Sequence, residues 1–250
     1  MKKKSIKQKK QSIAIELKNV NKKYIIHHEK PTFVENVIKN GHKEEFTALD
    51  KIDLTIYQGE KVGIIGPNGA GKTTLLKIIA GITTPDKGVV KTRGRIVSLI
   101  DLEAGFHPDL TGEENIFLNG LVIGMSKKEI NKQFKKIIKF ADIGKFIDAP
   151  LYTYSAGMQL RLGFAVAVHS DPDVLLIDEG FAVGDENFRE KVHRRINGFK
   201  KQKKTLIMVS HWLTELNRNC NKILWLEKGE IVKFGGKKIM ELYNPLFKVK

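Results

Sequence analysis

Residues 66–73 constrain this chain more than any other stretch. Gly66-Pro67-Asn68-Gly69-Ala70-Gly71-Lys72-Thr73, with Thr74 behind it, is preceded by Lys61-Val62-Gly63-Ile64-Ile65 and followed by Leu75-Leu76-Lys77-Ile78-Ile79-Ala80, which Gly81 closes. The first flank is short and apolar and reads as a buried strand; the second reads as a helix ended by a glycine. Strand, glycine loop and helix in that order form the P-loop pattern. Glycines let the backbone wrap a phosphate chain, Lys72 reaches the terminal phosphates, and the Thr73 hydroxyl ligates Mg²⁺. The pattern implies binding of a nucleoside triphosphate.

The rest of the sequence supplies the fold that such a loop needs. Val174-Leu175-Leu176-Ile177 and Leu206-Ile207-Met208-Val209 are two further apolar runs, separated by a helical stretch near residues 187–202. That alternation predicts a parallel α/β sheet. Ile13, Ile15, Leu17 and Val20, then Ala48, Ile52, Leu54 and Ile56, alternate as strands, and a hairpin is expected at Lys228-Gly229. Residues 27–45, with three histidines, four glutamates and one proline, read as a surface loop or short helix inserted between the first two strands. In the region 105–170, Thr111 with Glu114 and Ser126 with Glu129 have capping-box spacing, so two helices are expected to start there. The second would bury Ile130, Phe134, Ile137 and Ile138 and expose six lysines. The domain plan is thus a basic tail over residues 1–12, one domain over 13–240 with a helical subdomain near 105–165, and a short tail over 241–250.

Composition narrows the class. With 250 residues, 41% hydrophobic and 29% charged, the chain has enough apolar mass for one packed domain. One cysteine, Cys220, excludes an intramolecular disulfide and a cysteine-rich metal site. No run approaches 18 apolar residues, so the chain is expected neither to span a membrane nor to be secreted. The net charge of +16, with six lysines among the first ten residues, calls for an anionic partner or a solvated basic surface. Nucleic acid, an anionic membrane leaflet and nucleotide phosphates all qualify.

Three further motifs carry chemistry. Val174 to Ile177 ends in Asp178-Glu179, which places one carboxylate toward Mg²⁺ and a second toward the attacking water. Tyr154-Ser155-Ala156-Gly157-Met158 precedes a helix expected to begin near Gln159, with Ser155 and Gly157 leaving N-terminal amides open to an anion. His211 follows the strand ending at Val209-Ser210; the other six histidines read as structural.

In that order and spacing, Gly66 to Thr73, Tyr154 to Met158, Val174 to Glu179, Asp185 and His211 resemble the nucleotide-binding subunit of an ABC transporter, over roughly Ile13 to Gly236. The resemblance implies a P-loop NTPase (RecA-like) ABC ATPase core of α/β class, with an inserted α-helical subdomain and an N-terminal antiparallel β-subdomain. It implies ATP and Mg²⁺ as ligands, Glu179 as the catalytic glutamate, His211 as the switch histidine and Asp185 in the D-loop. Tyr24 is positioned like the aromatic that stacks on adenine, or is simply a strand-end tyrosine. Family geometry turns the Ser155 end away from its own P-loop, so a homodimer with two shared ATP sites is implied, docked on a polytopic membrane permease. The chain would then lie at the cytoplasmic face of the membrane, with its basic tail and lysine-rich helix near an anionic leaflet.

Two departures from the common family pattern point further. The signature reads Tyr-Ser-Ala-Gly-Met, and between Ser98 and Phe106 only Asp101 and Glu103 stand where a glutamine is usual. These features, with Glu103 to Pro108 and Glu179 to Asp185, resemble the ATPases of cell-envelope polysaccharide exporters for teichoic acid, O-antigen or capsule. Teichoic acid is the first expectation, because a chain ending at Lys250 is expected to have no appended glycan-recognising domain. The rival reading is a soluble ABC-type ATPase acting on ribosomes or nucleic acid. A single cassette without sustained heptads speaks against it, and Glu179 with His211 speaks against a binding protein without turnover.

Overall fold

The computed structural model describes residues 12–27, 43–100, 105–178, 186–210 and 212–243. Its central element is a six-stranded sheet in the order β5-β6-β7-β3-β8-β9, built from β3 (Lys61–Ile65), β5 (Ile96–Ser98), β6 (Val174–Ile177), β7 (Thr205–Val209), β8 (Lys222–Glu227) and β9 (Glu230–Gly235). The first five of these in spatial order pair in parallel; β9 joins β8 antiparallel. All four residues of β6 and all five of β7 are buried. That is why their sequences are apolar throughout rather than alternating: helices or strands cover both faces. Alternate residues still divide between the two sides. Val174, Leu176, Ile207, Val209 and Leu224 pack on one, whereas Leu175, Ile177, Leu206, Met208 and Ile223 pack on the other.

On the first side lies α1 (Lys72–Ile79), and beyond it an antiparallel sheet in the order β2-β1-β4, formed by β1 (Ile13–His27), β2 (Lys43–Tyr57) and β4 (Lys87–Thr92). Ile15, Leu17, Leu49, Ile52 and Ile56 join Leu75, Leu76 and Ile79 in one cluster, so α1 is enclosed by the two sheets. The first two strands run further than the sequence suggests. Both reach into the segment expected to be an insertion, through pairs such as Ile25 with Glu45 and His27 with Lys43. The Lys23 ammonium donates to the Glu45 carboxylate at 2.8 Å. Such cross-strand pairing leaves no periodic signal within either strand alone, which is why the extension was hidden. The expected hairpin is present: Lys228 (φ 49°) and Gly229 (φ 81°) both take the left-handed conformation of a tight two-residue turn.

The other side of the large sheet is covered by α4 (Ala156–His169), α5 (Glu186–Lys201), α6 (Leu213–Asn219) and α7 (Lys238–Tyr243). Helix α7 continues past the boundary at residue 240 set from the sequence, burying Ile239, Met240 and Tyr243.

Residues 105–170 have a core of their own, in which α2 (Gly112–Val122), α3 (Lys127–Ala141) and α4 enclose Ile116, Ile130, Ile137, Leu151, Leu162 and Val166. Both expected capping boxes form: Thr111 with Glu114, and Ser126 with Glu129. Helix α4 begins earlier than expected, at Ala156 rather than Gln159. The Ser155 hydroxyl caps it by accepting from the Met158 amide at 3.3 Å, so Gly157 sits in the first helical turn, where its low propensity matters little. Arg95, at the foot of β5, joins this region to the large sheet. Its guanidinium donates to the Gly124 carbonyl (2.8 Å), to Glu129 (3.1 Å) and to the carbonyl of Ser170 at the end of α4.

The Glu129 carboxyl is pulled down to about 2, first by the Ser126 amide, then by its hydroxyl and by Arg95. A depressed carboxylate contributes stability that is present above its ordinary value near 4.5 and is lost as pH falls toward 2. Acid titration of wild type should therefore loosen α3 in that window, read by hydrogen exchange of the α3 amides. Glu129→Gln should loosen them already at neutral pH and flatten the response.

Candidate functional site

The P-loop residues form one wall of a cavity of about 490 Å³ at the C-terminal ends of β3 and β6, lined by Asn68 to Thr74 together with Phe46, Leu99, Ile100 and Asp178. This is where a parallel α/β sheet presents its ligands. Helix α1 starts at Lys72 behind Gly71, and no side chain caps it. Its first amides and the positive end of its dipole thus remain directed at the loop, which suits an anion.

Two glycines are required by close approach. A Cβ on Gly66 would stand 2.1 Å from the Leu226 carbonyl oxygen of β8, and one on Gly71 would stand 2.2 Å from that of Ala48 in β2. Both residues also have positive φ, 154° and 97°. The loop is therefore clamped between two other strands, which set its curvature.

Lys72 is buried, and its ammonium donates to the carbonyls of Gly66 (2.9 Å) and Pro67 (3.0 Å), lying across the loop it belongs to. Thr73 donates its hydroxyl to the Asp178 carboxylate at 2.9 Å. These two residues are 105 positions apart, and the sheet order brings them together with β7 between their strands. A hydroxyl and a carboxylate in contact on the wall of this cavity form an all-oxygen donor set of the kind a hard divalent cation takes.

The aromatic that lines the cavity is Phe46, 43% exposed, whereas Tyr24 is not part of the lining. Tyr24 is its cross-strand partner, with the Lys22 ammonium 5.5 Å from its ring. Sequence reasoning missed Phe46 because the register that sets it opposite Tyr24 spans residues 28–42 and cannot be read from either strand. Ser155 and Gly157 likewise lie outside the cavity wall. Both are exposed at the start of α4, and among the described residues only the Ser155 hydroxyl, at 3.9 Å, lies near the open side of Gly157. Tyr154, just before them, is buried and donates to the Phe146 carbonyl, and burial pushes its phenol up, keeping it neutral. Glu179, Asp185, His211 and the glutamine-replacing candidates Asp101 and Glu103 lie outside the described residues.

Sheet order, clamped loop and the Thr73–Asp178 contact define a P-loop nucleotide-binding protein. The ABC transporter family model matches residues 49–182. The O-antigen export system ATP-binding protein RfbB of Myxococcus xanthus is 50% identical over 189 residues, 76% of this chain and 43% of that protein. Its namesake in Klebsiella pneumoniae is 39% identical over 238 residues, 92% of this chain and 97% of that one. The teichoic acids export ATP-binding protein TagH of Bacillus anthracis is 41% identical over 236 residues, 94% of this chain and 43% of TagH. A dimeric ATP-binding cassette solved in a post-hydrolysis state with ADP and Pi superposes with a TM-score of 0.69 at 26% identity, covering 89% of this chain and 98% of that one. The chain belongs to the ABC transporter ATP-binding subunit family.

Gly71→Ala should place a methyl group against the Ala48 carbonyl at a left-handed position. The combined strain is about 2 kcal/mol or more, and both the melting temperature and the binding of a fluorescent ATP analogue should fall.

Proposed function

We propose that this chain is the ATP-hydrolysing subunit of an ABC transporter that exports a cell-envelope polysaccharide across the cytoplasmic membrane. The observation that carries ATP binding is the clamped loop with Lys72 across it and Thr73 on Asp178. The names of the relatives support the cargo class. Teichoic acid, O-antigen and capsular polysaccharide are the candidate cargoes, and the names of the relatives include the first two.

In this reading the amides of Gly69 to Thr74 and the Lys72 ammonium hold the β- and γ-phosphates. To do so Lys72 exchanges its two loop carbonyls for phosphate oxygens, a charge-assisted replacement for neutral bonds. Thr73 and Asp178 are placed to hold Mg²⁺, which neutralises charge on the phosphates when bound. Glu179, one residue beyond Asp178, would orient or deprotonate the attacking water, with His211 as the switch histidine and Asp185 in the D-loop. Phe46 offers its exposed ring to the adenine, with Tyr24 behind it across the hairpin.

Because Ser155 and Gly157 stand outside the cavity, a second copy supplies them. Two chains then enclose two ATP molecules, and the dimeric cassette among the structural neighbours supports that arrangement. ATP closes such a dimer to the extent that it binds the closed state more tightly, and hydrolysis releases it. We assign residues 13–240 to one ATPase domain, 105–165 to its helical subdomain, and the chain's location to the cytoplasmic face as a peripheral subunit. Among the described residues no helix is long and apolar enough to cross a membrane; the export-system names of the relatives support a polytopic permease as partner.

Affinity purification of Glu179→Gln from detergent-solubilised membranes should recover an ATP-dependent dimer together with a polytopic membrane protein. Recovery of ribosomes or DNA-bound proteins instead would support the rival reading. Phe46→Ala should weaken ATP-analogue binding by about 1–3 kcal/mol, the worth of one base stacked on an aromatic ring. Tyr24→Ala should weaken it less, both read by fluorescence titration.

A further inference from the structure

Helix α3 carries a charge arrangement that neither folding nor the nucleotide site uses. Lys128, Lys132, Lys135, Lys136 and Lys139 are all exposed. At 3.6 residues per turn they fall within an arc of about 100°, in a stripe about 16 Å long. Their spacings of three and four residues set like charges side by side, an arrangement that weakens a helix. Among the described residues no carboxylate forms an ion pair with any of them. The helix's one acid, Glu129, is held instead by Ser126 and Arg95. What keeps α3 folded is the opposite face, where Ile130, Ile137 and Ala141 are buried and Phe134 packs on Phe117 with ring centres 5.8 Å apart.

We propose that this stripe is a docking surface for anionic lipid headgroups, with Lys128, Lys132, Lys135, Lys136 and Lys139 as its contacts. Lysine clusters on an amphipathic helix are attracted to negatively charged leaflets. Composition favours a lipid surface over nucleic acid. The stripe contains no arginine to grip a phosphate through two bonds and no aromatic ring on which a base stacks. Its geometry agrees, since five side chains along one face of a single 15-residue helix suit a plane of headgroups. With the apolar face of α3 already committed to the core, the helix lies on the headgroups without inserting, and contact is electrostatic and sensitive to salt. The choice of a membrane over other polyanionic surfaces rests on the permease-bound role proposed above, but binding to lipid requires no permease and no ATP.

The test is flotation of the purified full chain with phosphatidylcholine vesicles, with and without phosphatidylglycerol, at low and high salt. To isolate the stripe, the six tail lysines at positions 2, 3, 4, 7, 9 and 10 are first changed to glutamine. The expected result is binding to phosphatidylglycerol vesicles only, reversed by salt. Changing the five stripe lysines to glutamine should weaken it by roughly fivefold per lysine, and changing them to arginine should keep it. ATP turnover should be the same in all three variants, which shows that each is folded. The proposal is overturned if the glutamine variant floats as well as its parent, if binding ignores phosphatidylglycerol content, or if duplex DNA or RNA displaces the chain from vesicles through the same lysines. Failure here leaves the export reading intact, because that reading stands or falls on what co-purifies with Glu179→Gln.

Discussion

The loop after β3 is held by contacts that leave no room for a side chain. Gly66 lies against the Leu226 carbonyl of β8, and Gly71 lies against the Ala48 carbonyl of β2. One clamp belongs to the large sheet and the other to the antiparallel sheet, so the loop takes its shape only when both sheets are in place. Once it has that shape, α1 must start at Lys72 with its N-terminus open, and Thr73 must face the end of β6. The Thr73–Asp178 bond follows from the packing of two sheets around one helix.

The same logic explains why the region of α2 and α3 can be semi-independent. It has its own apolar cluster and its own capping boxes, and near the foot of β5 its polar tie to the large sheet is Arg95. An arginine suits that task because its planar fork reaches two carbonyls and a carboxylate at once, where an ammonium offers a point charge. Tyr154 anchors the other end, wedged so closely over Gly112 that a methyl group there would meet its hydroxyl at 2.1 Å. Ser155 and Gly157 are therefore presented at a fixed place outside the cavity. We propose that the start of α4, which lies outside the cavity, meets the P-loop of a second copy.

How much was legible in the sequence depended on how local each signal was. The P-loop, both capping boxes, the buried strands β6 and β7 and the Lys228-Gly229 hairpin are short-range patterns. Each is dictated by steric or hydrogen-bonding rules that act within a few residues, and the structure has all of them. Helix α4 starts three residues before the position expected from the sequence, because the Ser155 cap begins it at Ala156. The full length of the β1–β2 pairing was not legible, since its outer pairs, such as His27 with Lys43 and Ile25 with Glu45, join residues far apart in sequence.

Sequence alone thus determined the chemistry on offer: a phosphate-wrapping loop, a lysine and a threonine behind it, two carboxylates after an apolar strand, and a strongly basic α3. Those are properties of residue type and near spacing. Tertiary structure decided what meets what. It set Asp178 on Thr73 across 105 residues, chose Phe46 over Tyr24 for the cavity wall, and kept Ser155 out of it. The reason is physical: local rules choose elements, but strand order and the filling of shared cores choose neighbours, and a site is made of neighbours.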